Sequence, residues 1–185
     1  MIRSSRPFRN ALACRFAAVA LAAAAFVTAP TASQAADPQL IGTFGAWTAY
    51  TFQEGPGKVC YMAAQPRKAE GDYSSRGDIF ALITHRPAEN SNNVVSIVAG
   101  YPYKEGSEVS LTVGRTGFTL FTHGDRAWAR TSQIDSQIAQ AIRKGSEMTI
   151  KGTSQRGTVT TDTYSLGGST AAYDAISKAC NVKGQ

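Results

Sequence analysis

Apolar residues fall mostly into short runs that are separated by turn-forming residues. The runs 79–84 and 94–99 are almost continuously apolar, as in strands at the centre of a packed sheet. In 109–113 every second residue is apolar, which is typical of a strand with one buried face. Similar patterns predict further strands at 47–52, 59–64, 118–122, 127–129, 148–151 and 158–164. The chain is therefore expected to contain eight or nine short strands.

Two segments depart from the strand pattern, because their apolar residues recur at the spacing of a helical stripe. The first lies at about 133–144 and the second at about 170–180. Candidate residues for capping the helix starts are Ser132 or Asp135 for the first helix and Ser169 or Thr170 for the second. These two short helices are expected to pack against an otherwise all-β protein.

The first 35 residues have the pattern of a secretory signal peptide. Four arginines among the first fifteen residues precede an apolar run, and Ser33-Gln34-Ala35 places small residues at the cleavage positions. We expect Sec-type export with cleavage after Ala35, which leaves 36–185 as a single domain. The apolar run is shorter than the roughly twenty residues that span a bilayer, so no membrane span is expected after cleavage.

The leader also carries most of the net positive charge. The formal net charge of the chain is +6, but the four leader arginines account for much of it. After residue 35 the basic and acidic residues are nearly balanced, so the folded domain lacks the basic surplus that nucleic-acid binding requires. We therefore expect no nucleic-acid partner.

Export makes the cysteine count informative. Cys14 leaves with the leader, so the mature chain retains Cys60 and Cys180. A pair of cysteines in an oxidising compartment more often forms a disulfide than two free thiols. This bridge would join the second predicted strand to the C-terminal helix and pin the chain ends together. For that reason a β-sandwich is favoured over a barrel.

The sequence predicts no catalytic, cofactor or metal site. His85 and His123 lack neighbouring ligand residues and are interpreted as surface or hydrogen-bonded histidines. The carboxylates of Asp125, Asp135 and Asp162 lie near predicted turns and are interpreted as solvating loops. Nothing singles out the pair of carboxylates that a glycosidase needs. We therefore expect a protein that is not an enzyme.

One tripeptide suggests a binding function. Arg76-Gly77-Asp78 ends the polar stretch 66–77, which is predicted to be an exposed loop, and an exposed loop with this tripeptide can engage integrins. The alternative is a turn glycine between two solvated charges. Four aromatic residues could form a second binding surface but are interpreted as packing residues: Trp47, Tyr101, Tyr103 and Trp128.

Several short motifs follow one another in a fixed order. They are Phe44-Gly45-x-Trp47, Lys58-Val59-Cys60, Asp135…Ala141-Ile142-x-Lys144-Gly145 and Ser165-Leu166-Gly167-Gly168-x-Thr170-Ala171-Ala172, followed by Cys180. In this order the chain resembles the invasion-associated locus B proteins of bacteria, over about 42–180. The resemblance implies an immunoglobulin-like β-sandwich in the bacterial envelope, with no enzymatic activity attached. Many members carry further cysteines that this chain lacks.

Together these features predict an exported, non-enzymatic envelope protein that binds a protein or glycan through loops and sheet edges. The partner would lie in the envelope or on a host cell, and the protein would be periplasmic, secreted or attached to the outer membrane. One alternative is a periplasmic stability or stress factor without a host role. Another is a hydrolase with loop-borne carboxylates. A deep cleft joining acidic or histidine side chains would favour the hydrolase, and a shallow, partly apolar surface would favour binding.

Overall fold

A computed structural model describes residues 37–183, and in this part of the chain eleven strands form one antiparallel sheet. The strands are β1 (Gln39–Phe44), β2 (Trp47–Glu54), β3 (Gly57–Ala64), β4 (Lys68–Gly71), β5 (Phe80–Arg86), β6 (Ser91–Val98), β7 (Glu108–Val113), β8 (Thr116–His123), β9 (Arg126–Trp128), β10 (Glu147–Thr153) and β11 (Val159–Ser165). The helices are α1 (Ser132–Lys144) and α2 (Ser169–Ala179), with a short 3-10 turn at Pro87–Glu89. The predicted signal peptide and its cleavage site lie outside the described residues.

The prediction of an all-β, sandwich-like fold with two short helices is confirmed, with eleven strands instead of eight or nine. The strand order is β1-β2-β3-β5-β6-β9-β8-β7-β10-β11-β4. The two missed strands, β1 and β4, form the edges of the sheet. All four residues of β4 are exposed, and it lies within the stretch 66–77 that was wrongly predicted to be entirely loop. A strand without a buried face carries no apolar alternation that sequence could reveal.

The sheet encloses a single hydrophobic core. The three residues of β9 pair with both β6 and β8, and thereby join the two layers of the sandwich. Inward side chains from both layers belong to one buried cluster, in which Trp47, Met62, Leu111 and Ile150 are almost inaccessible. These large side chains account for the apolar runs of the sequence.

Helix α1 begins differently from the prediction. Its N-cap is Thr131, whose hydroxyl accepts a hydrogen bond from the amide of Ile134, and neither Ser132 nor Asp135 fills this position. The Asp135 carboxylate instead accepts a 2.8 Å hydrogen bond from the amide of Val95 on β6. Strand β9 stops before it reaches Val95, so Asp135 satisfies a donor that the sheet leaves open.

The residues predicted to cap α2 serve the end of α1. Gly168 is the N-cap of α2 and provides no side-chain cap. The Ser169 hydroxyl donates to the carbonyl of Ile142, and the Thr170 hydroxyl donates to the carbonyl of Arg143. The last carbonyls of a helix have no partner within the helix. The start of α2 therefore closes the C-terminal end of α1.

Two of the motifs that carry the family resemblance meet in space. Gly168 has φ +90° and Gly45 has φ +58°, and a Cβ on Gly168 would collide with the carbonyl of Phe44. A Cβ on Gly45 would similarly collide with the carbonyl of Gly167. Both positions thus require glycine for backbone conformation and for space. These two motifs therefore mark the close contact between the β1–β2 turn and the β11–α2 connection.

The structure contains the predicted disulfide between Cys60 and Cys180. It joins β3 to the end of α2 and spans 120 residues of sequence. Such bridges are typical of proteins that fold outside the cytoplasm. Within residues 37–183, no helix has the length and apolar character needed to cross a membrane.

Candidate functional site

A buried ion pair organises one end of the sandwich. Residues 72–78, which we call the strap, connect edge strand β4 to β5. From the strap, Arg76 reaches inward and donates two hydrogen bonds of 2.6 Å to the two carboxylate oxygens of Asp162 on β11. Its Nε donates a third, also 2.6 Å, to the carbonyl of Ala99. The two side chains are only 4% and 2% exposed, so the pair lies inside the protein.

Aromatic rings complete the surroundings of this ion pair. The Arg76 guanidinium lies 4.7 Å from the ring centre of Tyr101 and 5.6 Å from that of Tyr73. Burial alone would lower the pKa of Arg76, but the hydrogen bonds and charge of Asp162 outweigh it and raise the pKa above its usual value. The Tyr101 hydroxyl is fixed by a 2.6 Å hydrogen bond to Thr160. This cluster forms a rigid base under the strap.

The Arg-Gly-Asp tripeptide is therefore largely explained by the structure of the strap. The Arg76 guanidinium is held by Asp162 and is not presented to solvent. The amide of Gly77 donates to the carbonyl of Gly100, and a Cβ at Gly100, where φ is +72°, would collide with that residue. Asp78 is exposed. An adhesive tripeptide must offer both of its charges, and this geometry offers one.

A polar cleft of about 530 Å³ lies beside the base formed by Tyr101 and Thr160. Its walls are residues 72–75 of the strap, residues 100–102, and residues 154–160 from the β10–β11 turn. Asp72, Gln155 and Arg156 line it, and their side chains make no ion pair or side-chain hydrogen bond with any residue in 37–183. The Tyr73 ring is 37% exposed and adds an aromatic wall.

Two carboxylates lie in or near this cleft, and their surroundings differ. Asp72 is the carboxylate that lines it. The nearby carboxylate of Asp162 has both oxygens engaged by Arg76. The interpretation of Asp162 as a loop-solvating group was wrong, because Asp162 lies with Thr160 and Tyr164 on the inward face of β11. The alternation of residues along β11 was the sequence signal that Asp162 points inward. No pattern in the sequence indicated its partner Arg76, which lies 86 residues away.

Neither histidine lines this cleft. His85 is fully buried beneath α2, where its Nδ1 accepts from the amide of Asn93 and its Nε2 lies 3.2 Å from the Ser177 hydroxyl. The hydroxyl of Tyr173 donates to the side-chain oxygen of Asn93 and extends this network. His123 is exposed at the end of β8. Across residues 37–183, no three acidic, histidine or cysteine side chains come close enough to hold a metal ion.

We predict that His85 makes the stability of the fold sensitive to acid. Burial lowers the pKa of His85 from 6.5 to about 4, so the folded state resists protonation. This contribution to stability is complete above pH 6.5 and is lost as the pH falls toward 4, by about 2–3 kcal/mol. Burial has the opposite effect at Asp135, whose pKa is raised to about 6, so that its contribution declines as the pH rises through 6.

Urea unfolding between pH 4 and pH 7.5 distinguishes the contribution of His85 to stability from that of Asp135. We expect His85→Gln to be less stable than wild type at pH 7.5, with a difference that shrinks by about 2 kcal/mol at pH 4. Asp135→Asn should show a steeper acid decline than wild type, because it lacks the opposing carboxyl group. A difference between wild type and His85→Gln that does not change with pH would contradict this assignment.

The four aromatic residues divide into two groups. Trp47 and Tyr103 are buried, as expected of packing residues. Tyr101 is half-buried and lines the cleft, and Trp128 lies on the outer surface of the sheet, where it contacts Phe121. The packing interpretation was therefore wrong for Trp128 and incomplete for Tyr101.

Comparison with known proteins identifies one family. The family described as "Invasion associated locus B (IalB) protein" matches residues 47–177, which include ten of the eleven strands and most of α2. Searches of the curated proteins and of the solved structures each give no significant match. The matched region covers most of the chain and includes the strap, Asp162 and the cleft. The chain belongs to the Invasion associated locus B (IalB) protein family.

Proposed function

We propose that this chain is an exported, non-enzymatic binding protein of the bacterial envelope, and that the cleft beside the strap holds a saccharide. The observation that carries the proposal is the combination of exposed ring surface and unpaired polar side chains in one cavity. Tyr73 supplies the ring surface, while Asp72, Gln155 and Arg156 supply donors and acceptors.

A sugar ring fits this combination of groups. Its C–H faces are apolar enough to pack on an aromatic ring, and its hydroxyls bond to carboxylate, amide and guanidinium groups at the ring edge. The base of the cleft is fixed by the Arg76–Asp162 pair and the Tyr101–Thr160 hydrogen bond. Less binding free energy is lost to the ordering of side chains when the site is already formed.

Two observations support binding without hydrolysis. Glycosidases use two carboxyl groups on either side of the scissile bond. Here Asp72 faces the cleft, whereas Asp162 is locked behind the base by Arg76. Export is supported by the disulfide and by the family, and the envelope then supplies saccharides on either side of the outer membrane. The saccharide would belong to the bacterial envelope or to a host-cell surface.

The proposal is tested on an array that carries defined oligosaccharides of both bacterial-envelope and host-cell type. We expect the exported, oxidised protein to bind at least one class with a Kd below about 1 mM, measured by calorimetry on the best ligand. Binding of one class and not the other identifies the source. Asp72→Ala and Arg156→Ala should each weaken binding about tenfold, since each removes a charged hydrogen-bonding group.

Two variants at exposed residues outside the cleft lining serve as matched controls. Asp78→Ala changes the other exposed aspartate of the strap, and Arg115→Ala changes an exposed turn arginine outside the cleft. Both should bind as wild type. Failure of every saccharide to bind, or wild-type binding by both cleft variants, would contradict the proposed site. Release of shortened oligosaccharides would contradict the non-enzymatic assignment.

A further inference from the structure

One outward surface of the sheet is unusually apolar. Six neighbouring strands, β2-β3-β5-β6-β9-β8, form this surface, and all of them except β6 contribute the aromatic and aliphatic side chains of what we call the outer apolar face: Tyr50, Tyr61, Phe80, Leu82, Phe121 and Trp128. They belong neither to the hydrophobic core nor to the partly buried residues packed against it. In an antiparallel sheet the outward positions are usually polar. An apolar outward face therefore indicates a contact surface.

The other layer provides an internal comparison. Outward positions on β10 and β11 carry Thr149, Lys151, Thr161 and Thr163, which face one another across the two strands. This layer thus has the ordinary polar exterior of a solvated sheet. The apolar exterior is confined to one half of the same sheet, which excludes a general bias in composition as its cause.

Strand register makes the outer apolar face continuous. Leu82 lies opposite Ala63 on one side and Ser96 on the other, and Trp128 lies opposite both Ser96 and Phe121. The helices pack on the opposite side of these strands, since α2 contacts β5 through Ser177 and His85, and α1 contacts β6 through Asp135 and the buried Val95. At one end of the face a hollow of about 520 Å³ lies among Tyr50, Tyr61, Phe80 and Leu82.

The six residues of the outer apolar face are uncharged, and charged side chains lie at its rim. Arg126 shares the outward side of β9 with Trp128 and is exposed. Arg130 pairs with Glu108 at 3.0 Å beside Phe121, and Arg86 pairs with Glu54 at 2.9 Å near the opposite edge. The six residues of the face offer no charge to an acidic or a basic partner, so they are complementary to a second uncharged apolar surface.

We propose that the outer apolar face binds a second copy of this chain in a two-fold symmetric dimer. A two-fold axis parallel to the strands between β5 and β6 places β3 of one copy opposite β9 of the other, by the order of strands in the sheet. The hollow of each copy then receives the Phe121–Trp128 pair of its partner. The same patch serves both copies, as isologous interfaces require.

The size of the face fits this occupant. Six strands at ordinary spacing, with two outward positions on β9 and three on each of the others, cover about 550 Å² per copy. Two copies would bury about 1,100 Å², near the lower limit of specific protein interfaces. The outer apolar face shares no residue with the lining of the cleft, so each dimer would keep two accessible clefts. The inference is independent of what the cleft binds.

Sedimentation equilibrium of the exported, oxidised protein between about 1 and 200 µM tests the dimer. We expect a mass twice that of the processed chain at the higher concentrations. Leu82→Lys places a charge at the centre of the face and should shift the protein to monomer. Thr149→Lys, the matched control on the polar layer, should remain a dimer.

A second variant guards against misfolding. Ala63→Glu changes a small outward residue of β3 and should also give a monomer, with circular dichroism and a Tm close to those of wild type. A wild-type protein that stays monomeric at 200 µM would overturn the proposal. Dimers that persist in both Leu82→Lys and Ala63→Glu would overturn it as well, since the interface would then lie elsewhere.

Discussion

Replacement of Arg76 by Met is expected to lower the free energy of unfolding by about 3–5 kcal/mol. The variant removes both hydrogen bonds to Asp162 and leaves a carboxylate that is only 2% exposed without its counter-charge. It also removes the hydrogen bond to the carbonyl of Ala99. The strap then loses all three side-chain hydrogen bonds of Arg76 and keeps the backbone hydrogen bond from Gly77 to Gly100.

The double variant Arg76→Met/Asp162→Leu isolates the unpaired charge as the cause. Replacing both partners by apolar groups of similar size is often neutral, so the double variant should regain most of the lost stability. Urea denaturation monitored by tryptophan fluorescence measures all forms, with Asp78→Ala as a control that should unfold as wild type. A single variant that loses less than about 1 kcal/mol, or a double variant no better than the single one, would contradict this account.

Loss of the disulfide should have an effect of similar size. Cys60→Ala/Cys180→Ala is expected to lower the free energy of unfolding by about 2–5 kcal/mol. The bridge spans 120 residues, for which the chain-entropy argument sets a limit near 5 kcal/mol. Its release also removes the covalent link between the end of α2 and β3, so the helix is then held by its packing and by its hydrogen bonds to α1 and to the sheet.

Reduction of the wild-type disulfide tests the same contribution to stability without a substitution. Wild type in dithiothreitol should unfold at nearly the urea concentration of the double alanine variant, and the variant itself should not respond to reductant. If oxidised and reduced wild type unfold at the same urea concentration, the bridge does not contribute as described.

How well the sequence predicted each element depended on burial. The central strands β5 and β6 have continuous or alternating apolar residues, because their inward side chains fill the core. Edge strands β1 and β4 each have a single partner, and β4 has no buried residue at all. Their pairing depends on backbone hydrogen bonds with distant strands, which leave no periodic pattern in the side chains.

The candidate site depended on contacts between distant parts of the chain. Arg76 and Asp162 are 86 residues apart, and the fold brings them together only when β4 pairs with β11. The Arg-Gly-Asp motif predicted an exposed Arg76 side chain, whereas the structure buries it. The cleft residues Asp72, Gln155 and Arg156 carry no motif, and their relation follows from the position of the strap beside the β10–β11 turn.

The outward position of Trp128 could not be predicted from the sequence, for a different reason. Trp128 was interpreted as a packing residue because large aromatic side chains are usually buried. Its outward position follows from the register that pairs it with Ser96 and Phe121 on neighbouring strands. A three-residue strand is too short for its alternation to show which face is inward.

An NMR titration of the ¹⁵N-labelled, oxidised protein with the best-binding oligosaccharide of the array tests the central claim most directly. Saccharide binding in the cleft predicts saturable amide shifts confined to the strap, residues 100–102 and the turn 154–158. The same titration on Arg156→Ala should require about ten times more ligand. Shifts that cluster elsewhere on the sandwich, or that are absent at millimolar ligand, would contradict the cleft as the binding site.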